Sequence, residues 1–100
     1  MDDILRQTFR KFADRWQEET KLYSWVRIDH LDYRRIVALG KPVVPFIFER
    51  MAEDKMGIHW TPALISILKK RPTIPTEACG NQSAVADIWL QWAKEEGYSF

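Results

Sequence analysis

The sequence predicts a small all-α domain. Helical periodicity recurs in four separate segments, and residues of the kinds that begin or end helices lie between them. No segment alternates apolar and polar residues over a convincing length, so no sheet is predicted. One hundred residues suit a single core, and 46% hydrophobic residues supply enough apolar side chains to fill it.

The first predicted helix covers residues 2–19. Its apolar side chains recur at spacings of four, three and four residues, which places them on one stripe: Leu5, Phe9, Phe12 and Trp16. Charged residues occupy the other side, where Arg10 and Asp14 are spaced for an ion pair within the helix. Residues 21–28 are mostly apolar but have no strand to pair with, so we interpret them as a connector packed on the core.

Two helices joined by a tight turn are predicted in the middle of the chain. The earlier helix covers residues 30–39, with Asp29 as its N-cap and Gly40 as the left-handed residue after its end. The later helix covers residues 42–54 and starts on Pro42, because the fixed φ of proline suits a first helical position.

A proline-containing loop follows the next predicted helix. Thr61 and Pro62 have the residue types of an N-cap and a first helical position, and the basic residues 69–71 suit the negative end of the same helix. Residues 72–76 are predicted as loop, since each proline removes a donor and favours an extended residue before it.

The last predicted helix covers residues 81–97. Asn81 or Ser83 begins it, and Gly97 ends it. Its buried face would hold apolar residues at helical spacing: Val85, Ile88, Trp89 and Trp92.

Residues 33–47 resemble a HEAT-type helical repeat. In such repeats a helix ends on an apolar residue and a glycine, a tight turn follows, and a proline-led helix returns antiparallel. Leu39, Gly40 and Pro42 match this pattern, and residues 60–67 are similar to the opening helix of a second repeat. The resemblance implies a bundle of four to five helices around a HEAT-like antiparallel helix hairpin.

The chain as a whole also resembles a group of short, uncharacterised bacterial proteins. The matching residues fall in four elements: Trp16; Tyr33, Ile36, Gly40 and Pro45; His59, Trp60, Ala63 and Leu64; Trp89, Leu90, Trp92, Gly97 and Tyr98. This resemblance implies a fold and no particular chemistry. The single domain 1–100 would then consist of an N-terminal capping helix at 1–20, a HEAT-like core at 30–71 and a C-terminal helix at 81–97.

Composition narrows the class of protein. The net charge is only +1, so no overall field would hold the chain on nucleic acid or on an anionic membrane. The single cysteine, Cys79, excludes an internal disulfide and suits a reducing compartment. The acidic start does not resemble a signal peptide, and no apolar run approaches the ~20 residues that span a bilayer. We expect a cytoplasmic protein without membrane attachment.

No residue pattern predicts catalysis, a metal site or a cofactor. A nucleophilic Cys/His pair would need Cys79 to meet His30 or His59, and nothing in the sequence requires that meeting. Two histidines and one cysteine match no zinc spacing, and the four glycines form no phosphate-binding loop. We therefore expect no enzyme, no metal, no cofactor and no small-molecule substrate.

Two kinds of binding remain open. Helical repeats bind proteins on a concave surface, and aromatic side chains are enriched in interface hot spots. The candidate protein-binding anchors are Trp25, Phe46, Tyr98 and Phe100. The alternative is a nucleic-acid-associated accessory protein that binds through a basic edge: Arg34, Arg35, Lys69, Lys70 and Arg71. Near-neutral charge and five tryptophans favour protein binding over nucleic-acid binding. The resemblance to helical-repeat and short bacterial proteins implies a non-catalytic adaptor or inhibitor that binds a larger bacterial or phage-related protein.

Overall fold

The computed structural model describes residues 2–21 and 29–100, and all regular structure in those ranges is helical. Five α-helices are present: α1 (Asp2–Thr20), α2 (Leu31–Leu39), α3 (Val44–Asp54), α4 (Gly57–Leu68) and α5 (Gln82–Glu95). The predicted all-α bundle is therefore confirmed. None of the helices described has both the length and the apolar character needed to cross a bilayer.

Aromatic side chains form much of the core. Trp16, Trp60 and Trp89 have at most 1% of their surface exposed, and Tyr33 has 2%. The ring centroids of Trp16 and Trp60 are 4.9 Å apart, which joins α1 to α4. The tryptophan content of the chain thus mainly reflects core packing rather than an exposed aromatic surface.

Helix α4 packs against α2, α3 and α5, while α1 packs mainly against α2. The two helices that the HEAT resemblance pairs as a hairpin, α2 and α3, make their main helix contacts elsewhere: α2 with α1 and α4, and α3 with α4 and α5. A short 3-10 helix, Lys41–Val43, contains Pro42, so the α-helix starts later than predicted, at Val44. The HEAT-like resemblance stays a prediction.

The start of α2 differs from the prediction. Its N-cap is His30 rather than Asp29, because Nδ1 of His30 accepts a hydrogen bond from the backbone N–H of Asp32 at 3.1 Å. The other ring nitrogen lies 2.8 Å from a carboxylate oxygen of Glu19, which ties the cap to the end of α1. Gly40 does follow the helix with a positive φ of 75°, but its ψ of −155° lies outside the left-handed helical region.

The predicted start of α4 at Thr61 and Pro62 is wrong. The helix begins at Gly57 and Pro62 lies inside it. A residue from another helix explains the earlier start: Oε1 of Gln82 accepts from the backbone N–H of Ile58 at 2.7 Å. A free N–H in the first turn is thereby satisfied from α5, and no local capping residue is needed.

The capping residues predicted for α5 are found at its two ends. Oδ1 of Asn81 accepts from the backbone N–H of Ala84 at 2.9 Å, which confirms Asn81 as the N-cap. Gly97 follows the helix with a φ of +94°. The loop at residues 72–75 contains no helix, and a 3-10 turn, Thr76–Ala78, comes after it.

Ion pairs connect α1 with α3. Arg10 lies 3.1 Å from Glu49 and 3.4 Å from Glu53, and Arg50 lies 2.7 Å from Asp14. The predicted pair between Arg10 and Asp14 within α1 is therefore wrong. Both side chains reach α3 instead, because the packing places its opposite charges within their reach.

A buried carboxylate connects α1 with α2. Asp32 is only 3% exposed, and its oxygens accept hydrogen bonds from Arg15 at 2.6 and 2.9 Å and from Arg35 at 3.2 Å. The hydrogen-bonded guanidinium of Arg15 holds the pKa of the Asp32 carboxyl below its usual value, although burial acts in the opposite direction.

This lowered pKa predicts a specific acid sensitivity. A carboxyl with a depressed folded-state pKa stabilises the fold above its unfolded value, about 3.9, and this contribution is lost as pH falls through the folded-state value. We expect the unfolding free energy of the wild type to fall more steeply below about pH 4 than that of Asp32→Asn, as measured by urea denaturation. The exposed carboxylate of Glu77 provides a control, since Glu77→Gln should keep the wild-type pH dependence. Parallel curves for the wild type and Asp32→Asn would contradict the prediction.

Candidate functional site

Helix α4 combines an uncharged sequence with a partly exposed outer side. Between Gly57 and Leu68 it contains no Lys, Arg, Asp or Glu. Its fully buried residues are Gly57, Trp60, Ala63 and Leu64. At about 3.6 residues per turn, the opposite side holds Ile58, Pro62, Ile65 and Ser66, which are half-buried except for the exposed Ser66. We call these four residues the α4 face.

A groove of about 350 Å³ separates α2 from α4 on this side of the molecule. Its lining residues are Tyr33, Arg34, Val37, Ala38, Pro62 and Ser66. We call it the α2–α4 groove. Leu31 is 54% exposed and lies on the same side of α2 as Arg34 and Ala38, because residues three and seven positions apart share a helix face. An exposed apolar side chain therefore lies beyond the groove on this side of α2.

A second groove, of about 290 Å³, lies on the other side of Pro62. Its lining residues are Ile58, Thr61, Pro62, Arg71, Ile74, Cys79 and Val85. We call it the loop-side groove, since Ile74 belongs to the loop before α5. Pro62 lines both grooves and forms the ridge between them.

The hydroxyl of Tyr33 forms hydrogen bonds with two backbone groups of α4 next to Pro62. It donates to the carbonyl of His59 at 2.8 Å and accepts from the N–H of Ala63 at 2.9 Å. In an uninterrupted helix these two backbone groups would bond to each other. The hydroxyl is inserted between them one residue after the proline. Burial raises the pKa of Tyr33, so the phenol stays protonated and can donate.

Two other polar side chains that line the grooves, Thr61 and Cys79, also form hydrogen bonds within the protein. The Thr61 hydroxyl donates to the carbonyl of Gly57 at 2.7 Å and accepts from Nε1–H of Trp89 at 2.9 Å. Sγ of Cys79 lies 3.5 Å from the carbonyl oxygen of Pro75. Among the described lining residues, the structure shows no side-chain hydrogen bond for Ser66 or for the two arginines. A ligand would therefore meet an apolar surface whose free side-chain hydrogen-bonding groups are the Ser66 hydroxyl and the two guanidinium groups.

The border of this surface is positively charged. Arg34 lines one groove and Arg71 the other, and neither forms an ion pair with any residue that the structure describes. Lys69, the left-handed residue after α4, is likewise exposed and unpaired within the described ranges. Two carboxylates elsewhere in the bundle are already paired: Asp32 with Arg15, and Glu96 with Lys70 at 2.8 Å.

The predicted aromatic anchors lie in different environments. Trp25 falls outside the described residues. Phe46 is a core side chain, 9% exposed, rather than an exposed anchor, and the Arg6 guanidinium covers its ring at 5.1 Å. Tyr98 is half-buried against Phe48. Among the described anchors, only Phe100, at 42% exposure, keeps a large exposed ring.

Of the five residues predicted to form a basic edge, two form ion pairs with carboxylates and three form none within the described part of the chain. Arg35 lies 3.2 Å from Asp32, and Lys70 lies 2.8 Å from Glu96, so the charges of both are compensated within the fold. The remaining three residues, Arg34, Lys69 and Arg71, lie around α4. The unpaired part of the predicted nucleic-acid-binding set thus borders the apolar α4 face.

The three residues considered for nucleophilic chemistry lie in separate places. Cys79 lines the loop-side groove, His30 caps α2, and His59 lines another pocket together with Trp16. Burial lowers the pKa of His59. No hydrogen bond between Cys79 and either histidine occurs in the described part of the chain, and residues 2–21 and 29–100 contain no cluster of three or more potential metal ligands.

Sequence reasoning did not identify Ile58, Ile65 or Ser66 as surface residues. One signal was present: a helix of twelve residues without a charged side chain is normally buried on all sides or in contact with a partner. The wrong helix start at Thr61 concealed this signal, because it left residues 57–60 out of the predicted helix.

The fold and this surface define a class of protein: a small all-α bundle that presents an apolar helix face with a positively charged border. Comparisons of the chain with protein-family models, with curated proteins and with solved structures find no match. We therefore infer the function of the chain from the geometry and chemistry of its own residues.

Proposed function

We propose that this chain is a small non-catalytic protein-binding module, an adaptor or inhibitor, that binds its partner through the α4 face. The observation that carries the proposal is the uncharged α4, whose outer side reaches solvent between two apolar grooves. Contiguous exposed apolar surface with a polar border is typical of protein interaction sites.

The dimensions of the grooves suit side-chain anchors. Volumes of about 350 and 290 Å³ are at the small end of the range for ligand pockets and can each accept one or two apolar side chains. Each apolar side chain fully buried there would contribute roughly 1.5–3 kcal/mol. Two such anchors on either side of Pro62 would form the centre of an interface, where binding energy is concentrated.

The proposed setting is the cytoplasm, with a larger bacterial or phage-related protein as the partner. Cys79 is exposed and unpaired, which suits a reducing compartment. The resemblance to short bacterial proteins supports this class of partner, and the α4 face supports the proposed mode of binding.

A nucleic-acid-associated accessory role is the second candidate. It is favoured by the unpaired charges of Arg34, Lys69 and Arg71, which can contact phosphates. Two features of the α4 face favour a protein instead. Its surface between the basic residues is apolar. Among the described residues that line the two neighbouring grooves, the only aromatic one, Tyr33, is buried and cannot stack on a base.

Arginine substitutions inside the α2–α4 groove should abolish partner binding. Ala38 and Ser66 are exposed and small, so Ala38→Arg and Ser66→Arg add a long charged side chain to the groove without entering the core. We expect each variant to lose the partner that the wild-type chain retains, with at least about a tenfold drop in recovery. Tagged full-length chain, crosslinked in the source cells and analysed by mass spectrometry, measures this loss.

Ala52→Arg is the matched control, because Ala52 is also an exposed helical alanine but lies on α3. It should recover the same partner as the wild type, and all variants should keep the wild-type melting temperature. Equal recovery with all four proteins would exclude the α4 face as the binding site. A wild-type dimer that Ser66→Arg converts to a monomer in light scattering would instead assign the face to a second copy of the chain.

A further inference from the structure

We propose that the segment bound on the α4 face is an amphipathic helix that carries carboxylates beside its apolar side chains. This inference rests on the proposed function and specifies the chemistry of the partner. It follows from two properties of the surface: the hydrogen-bonding state of its polar groups and the sign of its unpaired charges.

The hydrogen-bonding state favours a helical ligand. An extended peptide brings unpaired backbone N–H and C=O groups, and these need partners when they are buried. The hydroxyls of Tyr33 and Thr61 each already donate one hydrogen bond and accept another, so the free side-chain groups are the Ser66 hydroxyl and the two guanidiniums. These groups are too few to pair the alternating N–H and C=O groups of an extended backbone along both grooves. No strand edge exists in residues 2–21 or 29–100 to which a peptide strand could be added. A helix satisfies its own backbone and needs only apolar contacts from the groove.

The shape of the α2–α4 groove permits close helix packing. Ala38 on α2 and Ser66 on α4 are small and exposed, with Pro62 between the grooves. Small side chains at a helix–helix contact allow the axes to approach to about 8–10 Å. Apolar residues of the ligand at positions i, i+3 or i+4, and i+7 would then contact Val37, Ala38 and Pro62.

The unpaired charges select an acidic partner. Arg34 borders the α2–α4 groove and Arg71 the loop-side groove, and no carboxylate lines either groove. A guanidinium presents a planar set of donors that matches a carboxylate in a bidentate pair. Lys69 adds a third positive charge at the end of α4. A basic helix would be repelled, so the charges contribute specificity and orientation in addition to the apolar contacts.

Selection from a peptide library tests the inference while the native partner is still unidentified. The probe is a phage-displayed library of random linear peptides of about 18 residues, long enough for five helical turns, so that both helical and extended binders can be enriched. It is selected on the full-length wild-type chain and counter-selected on Ser66→Arg. We expect the enriched peptides to share an apolar stripe at helical spacing with Asp or Glu next to it.

Charge-reversal variants then test whether the two arginines contact the acidic residues of the peptides. Synthetic versions of the enriched peptides should bind Arg34→Glu and Arg71→Glu about tenfold more weakly than the wild type in fluorescence anisotropy. Lys11→Glu is the matched control, since Lys11 is exposed on α1 and unpaired in the described chain, and it should bind like the wild type. A peptide with Lys in place of its acidic residues should bind Arg34→Glu better than it binds the wild type.

Several outcomes would overturn the inference. Enrichment of basic, uncharged or non-helical peptides, or of none, excludes an acidic helix as the ligand, as does equal binding to the wild type, Arg34→Glu and Arg71→Glu. If Ala38→Arg still loses the native partner in these cases, the α4 face stands as the docking surface and only its proposed occupant is wrong. Tight, salt-sensitive binding of mixed DNA and RNA that Arg34→Glu and Arg71→Glu abolish would assign the surface to nucleic acid instead.

Discussion

Gly57→Ala is expected to destabilise the domain by about 3 kcal/mol or more. A Cβ atom on Gly57 would lie 2.2 Å from the backbone nitrogen of Ala86 and 2.7 Å from the carbonyl carbon of Val85. These are backbone atoms of α5 and cannot rotate away, so α4 and α5 would have to move apart. The fully buried Trp60 and Trp89, one on each helix, would lose contacts as a result. Urea denaturation followed by far-UV circular dichroism measures the change.

Gly80→Ala is the matched control for this substitution. No atom lies within 4 Å of a Cβ built on Gly80. Its backbone conformation is one that alanine adopts without strain, so the change should be neutral or slightly stabilising. Similar unfolding free energies for the Gly57 and Gly80 variants would mean that α4 and α5 do not approach as closely as the structure shows.

Tyr33→Phe should destabilise the domain by about 1–3 kcal/mol. The substitution keeps the aromatic ring, which packs 4.7 Å from the ring of Trp16, and removes only the hydroxyl. The carbonyl of His59 then loses its donor and the N–H of Ala63 loses its acceptor. Since Pro62 already removes one hydrogen bond from the same turn, α4 would be weakened where it borders both grooves. Urea denaturation measures the loss.

Tyr98→Phe controls for the removal of a phenolic hydroxyl in general. Tyr98 is half-buried, and the structure shows no hydrogen bond for its hydroxyl within the described residues. This variant should unfold with nearly the wild-type free energy. If Tyr33→Phe behaved in the same way, the helix would be able to close its own hydrogen bond beside Pro62, and the hydroxyl would not be required.

Local sequence signals were sufficient for several structural features that depend on neighbouring residues. The stripe of Phe9 and Trp16 in α1 follows from helical periodicity, and both side chains are buried as the spacing predicts. Asn81 caps α5 and Gly97 follows it with a positive φ, because capping geometry involves residues within one turn. The same signals led to the all-α fold class.

Features that depend on residues far apart in the sequence could not be predicted from local sequence signals. Gln82 lies 24 positions after Ile58 and yet accepts the hydrogen bond that starts α4. Arg10 has an acidic residue four positions later, but its partners are Glu49 and Glu53 on α3. Each choice depends on which helices the core brings together, and spacing along the chain contains no such information.

The candidate site belongs to this second group. The amino-acid pattern alone predicted an all-α bundle of four to five helices, and it placed Arg34 and Arg71 among the candidate nucleic-acid-binding residues. The packing of the helices then showed that the two arginines border an apolar α4 face and that Phe46 is buried rather than exposed. Neither could be read from the chain alone, because the side of a helix left in contact with solvent depends on the helices that cover its other sides.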